Sequence, residues 1–202
     1  VAMDRELQQL RPLFPEDKVI LEKSGIGKVN AAIQTVEMIR IHKPDVIIST
    51  GCAGGNGDDI NIQDVVVSTQ LAYHDVYCGE AIGHSVYGQV QGLPPRFDAD
   101  AHLLSVAQQT GAKPGLIVTG DWFVDTKEKM REIIGHFPEA KAIDMESAAI
   151  AHTCYINNVP FISFRIISDI PLRDTNASMY HDFWNTIAQN SFHVTRTFIE
   201  SL

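Results

Sequence analysis

"KAIDMESAAIAHTCYINNVPFISFRIISD", residues 141–169, reads as a strand, a helix and a second strand in direct succession. Residues 141–145 and 160–168 are apolar runs of strand character, and 146–157 between them have the length and pattern of a helix. The same alternation extends outward. Further strands are expected at 18–22, 45–50, 64–73 and 115–119, and further helices at 3–13, 27–41, 98–111, 125–135 and 181–201. In 27–41, Val29, Ile33, Val36 and Ile39 keep a helical period, as do Ile187, Phe192, Thr195 and Ile199 near the end. Strands alternating with helices predict an α/β fold: a three-layer sandwich with a mixed, mostly parallel central sheet flanked by helices. Residues 1–202 are expected to form a single domain. A helix follows Val1-Ala2-Met3 at once, so the first strand is expected to be truncated at the N-terminus.

Composition narrows the partners. The chain has 202 residues, 45% hydrophobic and 20% charged, with a formal net charge of −9. An acidic surface argues against nucleic acid or an anionic membrane as the main partner. No apolar stretch approaches the roughly 20 residues that span a bilayer, and no signal-peptide pattern opens the chain. Cys52, Cys78 and Cys154 are widely spaced without a CxxC, so a reduced, cytoplasmic protein is expected. The eight histidines show no HExxH pattern, and no metal is expected. Gly83-His84-Ser85-Val86-Tyr87-Gly88 misses the GxSxG nucleophile elbow by one residue.

In parallel α/β sheets ligands bind at the carboxyl ends of strands. After 45–50 comes Thr50-Gly51-Cys52-Ala53-Gly54-Gly55, either a tight turn or a stretch whose amides approach a ligand. After 115–119 comes Gly120-Asp121-Trp122-Phe123-Val124-Asp125, whose aromatic side chains suit a flat ligand or a neighbouring subunit. After 141–145, Asp144 and Glu146 flank Met145. Glu146 fits the first turn of a helix, where the dipole favours an acid, or the two hydroxyls of a sugar diol. In 160–168, Arg165 interrupts an apolar run and Asp169 follows it. The two share a strand face but lie roughly 13 Å apart at about 3.3 Å per residue, so each needs its own partner. Apolar surroundings raise a carboxyl pKa, which suits Asp169 to general-acid work, and a turn aspartate before Pro171 is the alternative. Asp4 and Glu6 taken alone read as surface acids in a first helical turn.

These pieces in this order resemble the bacterial 5′-methylthioadenosine/S-adenosylhomocysteine nucleosidases, members of the nucleoside phosphorylase-like superfamily. The resemblance rests on residues 25–32, Thr50-Gly51-Cys52-Ala53-Gly54-Gly55, Tyr73-His74-Asp75, Tyr87-Gly88-Gln89, residues 119–123, Asp144-Met145-Glu146 and Arg165-Ile166-Ile167-Ser168-Asp169. It implies hydrolysis of the bond between adenine and ribose, without cofactor or metal. It implies Asp169 as the general acid on adenine N7 and Glu6 as the general base on water. It implies Glu146 on the ribose hydroxyls with Met145 against the sugar, and Arg165 near that glutamate and the water. Phe123 and Val124 match the adenine pocket, and Cys52, Ala53 and Gly54 the small-residue stretch beside the sugar. Ala2, Met3 and Ser168 complete the expected substrate contacts. A homodimer is implied, with residues 76–91 near the partner's site.

The chain departs from the family at Cys52, where serine is usual, at Ser147, where glycine is usual, at Gln91, where proline is common, and over Pro171-Leu172-Arg173 beside the base. An aminodeoxyfutalosine-type nucleosidase of menaquinone synthesis, a purine nucleoside phosphorylase and a catalytically inactive nucleoside-binding protein are the rival readings.

Overall fold

The computed structural model describes residues 1–14, 19–79, 85–173, 182–184 and 192–202. Its elements run α1 (Asp4–Leu10), α2 (Lys28–His42), β1 (Ile47–Gly55), β2 (Val65–Tyr73), β3 (Phe97–Asp98), α3 (Ala101–Ala107), β4 (Lys113–Thr119), α4 (Lys127–His136), β5 (Ala140–Asp144), α5 (Ser147–Asn157), β6 (Phe161–Asp169) and α6 (His193–Glu200). Short 3₁₀ turns extend α1 over Arg11–Leu13 and α3 over Gln108–Thr110. The opening stretch is thus β5–α5–β6, as its alternation predicts. The expected strand at 18–22 is not formed at 19–22, and residue 18 lies outside the described residues. A strand needs a ladder along its length, and here the Val1 amine donates to the Glu22 carbonyl while Ser24 N–H donates to the Val1 carbonyl. Of the expected helix at 181–201, residues 181 and 185–191 lie outside the described residues.

The strand order is β3-β2-β4-β5-β1-β6, and β6 pairs back onto β2. The long ladders β1–β6, β2–β4 and β4–β5 are parallel, whereas β1–β5, β2–β3 and β2–β6 are shorter and antiparallel. The sheet is therefore mixed and mostly parallel, with helices around it. It is not the open layer of a three-layer sandwich, because five strands close into a barrel-like ring with β3 outside β2. Pairing of Val65, Val66 and Val67 with Ile166, Arg165 and Phe164 makes the closure. Closure is favoured because β6 is buried along almost its whole length, and an open edge there would leave buried N–H and C=O groups unpaired.

Three apolar clusters surround the ring. Small residues of α5 (Ala148, Ala149, Ala151) pack with Ala31 of α2 against β1. Leu10, Leu103, Phe164 and Phe198 join α1, α3 and α6 to β6, with the two phenylalanine rings 4.7 Å apart. Met130 and Ile133 of α4 cover Val118 and Ile143. The apolar row on α2 is a surprise. Ala31 and Thr35 are its buried residues, while Val29, Ile33 and Val36 are 68%, 59% and 39% exposed. Periodicity marks a face but does not say what covers it. No helix among the described residues is long and apolar enough to cross a membrane.

Candidate active site

The carboxyl ends of β1, β4, β5 and β6 meet the start of α1 at one cleft. Ala2, Met3, Glu6, Cys52, Ala53, Gly54, Phe123, Val124, Met145, Glu146, Ser168 and Asp169 all line it, so the structure brings together every expected site residue except Arg165. Ile26, Met130 and Ile143 also line it and were not expected. They are ordinary apolar residues with no local signal of a site.

Glu6 is set by the start of α1. It occupies the third helical position and reaches back, so that Oε2 accepts Ala2 N–H at 2.9 Å and Met3 N–H at 3.0 Å. Oε1 accepts Cys52 N–H at 3.0 Å. Glu6 is 2% exposed, which excludes the surface-acid reading; Asp4 is the solvated acid, paired with Lys23. The tight-turn reading of 50–55 fails as well, because Gly51–Gly55 continue β1. A Cβ on Gly51 would lie 2.5 Å from Glu6 Oε1 and 2.6 Å from Arg165 Nη1. The glycine is there to let a carboxyl and a guanidinium press against the strand. The thiol of Cys52 is held in its protonated form by burial, with Glu6 adding to the effect.

Arg165 pairs with Asp144 and not with Glu146. Its Nε lies 2.5 Å from Asp144 Oδ2, and both side chains are almost fully buried. Nε also reaches Ser147 Oγ at 3.0 Å, and Nη2 reaches Ser49 Oγ at 2.8 Å. Asp144 ends β5 pointing inward, where Thr119 Oγ1 and Ser147 N–H donate to it. Ser147 is thereby part of the network, and its hydroxyl also lies 2.7 Å from Ser163 Oγ.

The capping reading of Glu146 gives way for the same reason. α5 starts at Ser147, Glu146 makes no side-chain cap, and its first amides are met by Asp144 and Thr119. Glu146 is left for the cleft, where Gly27 N–H donates to Oε1 at 3.0 Å. Burial, with Asp144 adding to it, raises the Glu146 carboxyl to about 7, against the pull of Arg165 and the Gly27 amide.

Asp169 ends β6 beside Gly54. Burial raises its carboxyl, and the Ser168 hydroxyl, 2.7 Å from Oδ1, offsets part of that rise. The departure at 171–173 resolves into three directions. Pro171 lines the cleft, Leu172 packs against the α4 cluster, and Arg173 turns away to the carbonyls of Gly57 and Asp58, both at 2.9 Å. Trp122 and Phe123, both about half exposed, also line the cleft, with Lys129 Nζ 4.6 Å from the Trp122 ring centroid. Among the described residues lining the cleft there is no lysine or arginine. Among the described residues no cluster of three or more His, Cys, Asp or Glu is arranged to hold a metal.

Comparison with known proteins places this geometry in context. Residues 9–200 match the family model of the phosphorylase superfamily. A 5′-methylthioadenosine/S-adenosylhomocysteine nucleosidase of Exiguobacterium sp. is 45% identical over 86% of this chain and 76% of its own length. One from Anoxybacillus flavithermus is 39% identical over 91% of this chain and 81% of its own. The crystal structure of such a nucleosidase from Neisseria meningitidis, in complex with methylthio-immucillin-A, superposes with a TM-score of 0.89 at 37% identity, covering 100% of this chain and 96% of that one. The chain belongs to the phosphorylase superfamily and, within it, to the 5′-methylthioadenosine/S-adenosylhomocysteine nucleosidases.

Proposed function

We propose that the cleft performs the hydrolysis of this family with Asp169 as general acid and Glu6 as general base. The enzyme is a nucleosidase that cleaves the N-glycosidic bond of 5′-methylthioadenosine and S-adenosylhomocysteine, releasing adenine and the thioribose product. The observation that carries the residue roles is that two carboxyls of one cleft are held by different hydrogen-bond partners. Glu6 accepts three backbone N–H groups, which aim its oxygens as acceptors. Asp169 is pushed toward its protonated form by burial. Adenine is a poor leaving group as an anion, so a proton from Asp169 to N7 lets it leave neutral. The ribose then approaches an oxocarbenium ion, and Glu6 takes a proton from the attacking water. This is the two-carboxyl logic of glycoside cleavage. Glu146 accepts the ribose hydroxyls with Met145 against the sugar, and Phe123 stacks on the base beside the main chain of Val124. Arg165 acts from behind through Asp144. Ala2, Met3, Cys52, Ala53, Gly54 and Ser168 shape the remaining wall.

Hydrolysis is favoured over phosphorolysis because a phosphate needs cationic groups beside the sugar, and the described lining supplies none. The test is adenine release from methylthioadenosine, S-adenosylhomocysteine, aminodeoxyfutalosine and inosine, each with and without phosphate. Phosphate-dependent release would overturn the reading, and preference for aminodeoxyfutalosine would move the enzyme from methionine salvage to menaquinone synthesis.

We further propose a homodimer. Val29, Ile33 and Val36 form an exposed apolar row that continues through Ile26 into the cleft, and the occupant that fits is a second copy related by a two-fold axis. Tyr77 and Val86, both exposed and within 76–91, would then reach the partner's cleft; residues 80–84 lie outside the described ones. Ile33→Asp should shift sedimentation from dimer to monomer; an unshifted dimer would reject this face. A cytoplasmic location fits three free cysteines, which a reducing compartment keeps so.

A further inference from the structure

We propose that Asp121 is a positioning residue that holds the Gly27 amide on Glu146 and ties the base-side wall of the cleft to its sugar-side acid. The inference rests on the reading that Glu146 takes the ribose hydroxyls. The geometry starts at α2, a 15-residue helix with no side-chain cap of its own and no acid in its first turn. Its exposed first amides need partners, and two carboxyls from distant loops supply them. Gly27 N–H donates to Glu146 Oε1 at 3.0 Å, and the next amide, Lys28 N–H, donates to Asp121 Oδ1 at 2.8 Å. One rigid helix end, with its positive dipole, thereby faces both acids.

Asp121 is itself clamped. Its own N–H donates to Asp75 Oδ2 at 2.8 Å, and Lys28 Nζ bridges both Asp75 oxygens at 2.7 Å while lying 3.8 Å from Asp121 Oδ2. Gly27 completes the lock. It sits at φ 92°, where side chains are disfavoured, and a Cβ there would come within 3.0 Å of Asp121 Oδ1. Asp121 leads directly into Trp122, Phe123 and Val124, and Gly27 directly follows Ile26, all of which line the cleft. The base-side loop and the ribose-side acid therefore take their positions from the same two peptide groups. The charged groups that act on Glu146 are Asp144, Arg165, Glu6 and the Val1 amine, whereas the contacts of Asp121 run to Lys28 and Asp75.

Without the Asp121 carboxylate the helix start loses one of its two anchors, and the Gly27 amide no longer stays on Glu146. A carboxylate that loses a hydrogen-bond donor becomes easier to protonate. The expected result for Asp121→Ala is a KM raised about tenfold with kcat changed less, a loss on the scale of one hydrogen bond to a charged group. The acid limb of kcat/KM should also move to higher pH, which a loss of folded enzyme alone would not cause. Asp121→Asn keeps an acceptor for Lys28 N–H and should restore most of the KM and the limb. Asp121→Ser, too short to reach that amide, should behave like Asp121→Ala and serves if the alanine variant does not fold. Folded Asp121→Ala and Asp121→Ser with wild-type KM and an unmoved acid limb would overturn the proposal. If the wild type itself releases no adenine, the functional reading fails separately. The Asp121 role is then decided by thermal unfolding against pH, in which the Glu146 titration should move upward in Asp121→Ala.

Discussion

Arg165 and Asp144 form a salt bridge of 2.5 Å inside the barrel-like ring, with side chains only 2% and 1% exposed. Two charges withdrawn from water are stable only together. Arg165→Met leaves a buried carboxylate, and Asp144→Asn leaves a buried guanidinium, so each should cost about 3–5 kcal/mol in unfolding free energy. The double variant should lose less than the sum of the two, because it leaves neither charge alone. Denaturant midpoints for the four proteins give the answer, and a wild-type midpoint for Arg165→Met would contradict the pairing.

Asp169→Asn keeps the shape of the side chain and removes its acidic proton. Adenine release should fall by about 10²–10⁴, the usual contribution of a general acid. The variant should still gain thermal stability from a methylthioadenosine analogue, since binding and proton donation are separate tasks. Burial raises the carboxyl of Asp169, so wild-type kcat should decline on the alkaline side as that proton is lost. Full activity in Asp169→Asn would remove Asp169 from the mechanism.

Much of this architecture is legible in the residues, and what is not has identifiable causes. The β5–α5–β6 alternation is carried by local pattern and forms as expected. Closure of the ring is not local, since it depends on Val65–Val67 meeting Phe164–Ile166, nearly a hundred positions away. Gly51–Gly55 resemble a turn in sequence, yet they are strand because they pair with β6 from Arg165 to Asp169, and Gly51 is glycine because Glu6 and Arg165 leave no room for a Cβ. Asp144 and Glu146 stand two positions apart, and only the end of β5 between them sends one to Arg165 and the other to the cleft. The site residues were gathered mainly by family resemblance. Taken alone, Glu6 reads as a surface acid of a first helical turn, because nothing in Asp4-Arg5-Glu6 announces which acid is buried.

Glu146 gives the protein a pH-dependent stability. Its carboxyl titrates near 4.5 in an ordinary environment and at about 7 here. The folded state therefore holds the proton more tightly than the unfolded chain. Stability from this group is complete below 4.5 and is lost as pH rises to about 7, a difference of about 3 kcal/mol. Asp169, also raised by burial, acts in the same direction. Glu146→Gln has no such titration and should be more stable than wild type near pH 8, while binding ribose hydroxyls less well. Guanidinium unfolding of both proteins across this range checks it, and identical pH profiles would refute it.

Two glycine-to-alanine changes should have opposite effects. Gly135 lies within α4, and a Cβ there meets nothing within 4 Å. Gly135→Ala should therefore stabilise the protein by about 0.5–1 kcal/mol through helix propensity, with activity unchanged. At Gly51 the added methyl would stand 2.5 Å from Glu6 Oε1 and 2.6 Å from Arg165 Nη1. Neither neighbour yields freely, because Glu6 is held by the amides of Ala2, Met3 and Cys52, and Arg165 by Asp144 and Ser49. Gly51→Ala should displace Glu6, the group proposed to activate water, and reduce kcat by at least about 10². Asp169 and Phe123 would keep their places, so adenine alone should still bind. Calorimetry with adenine beside a rate assay with methylthioadenosine separates the two effects. If Gly51→Ala turned over at the wild-type rate, the crowded contact between β1 and Glu6 would have no part in catalysis.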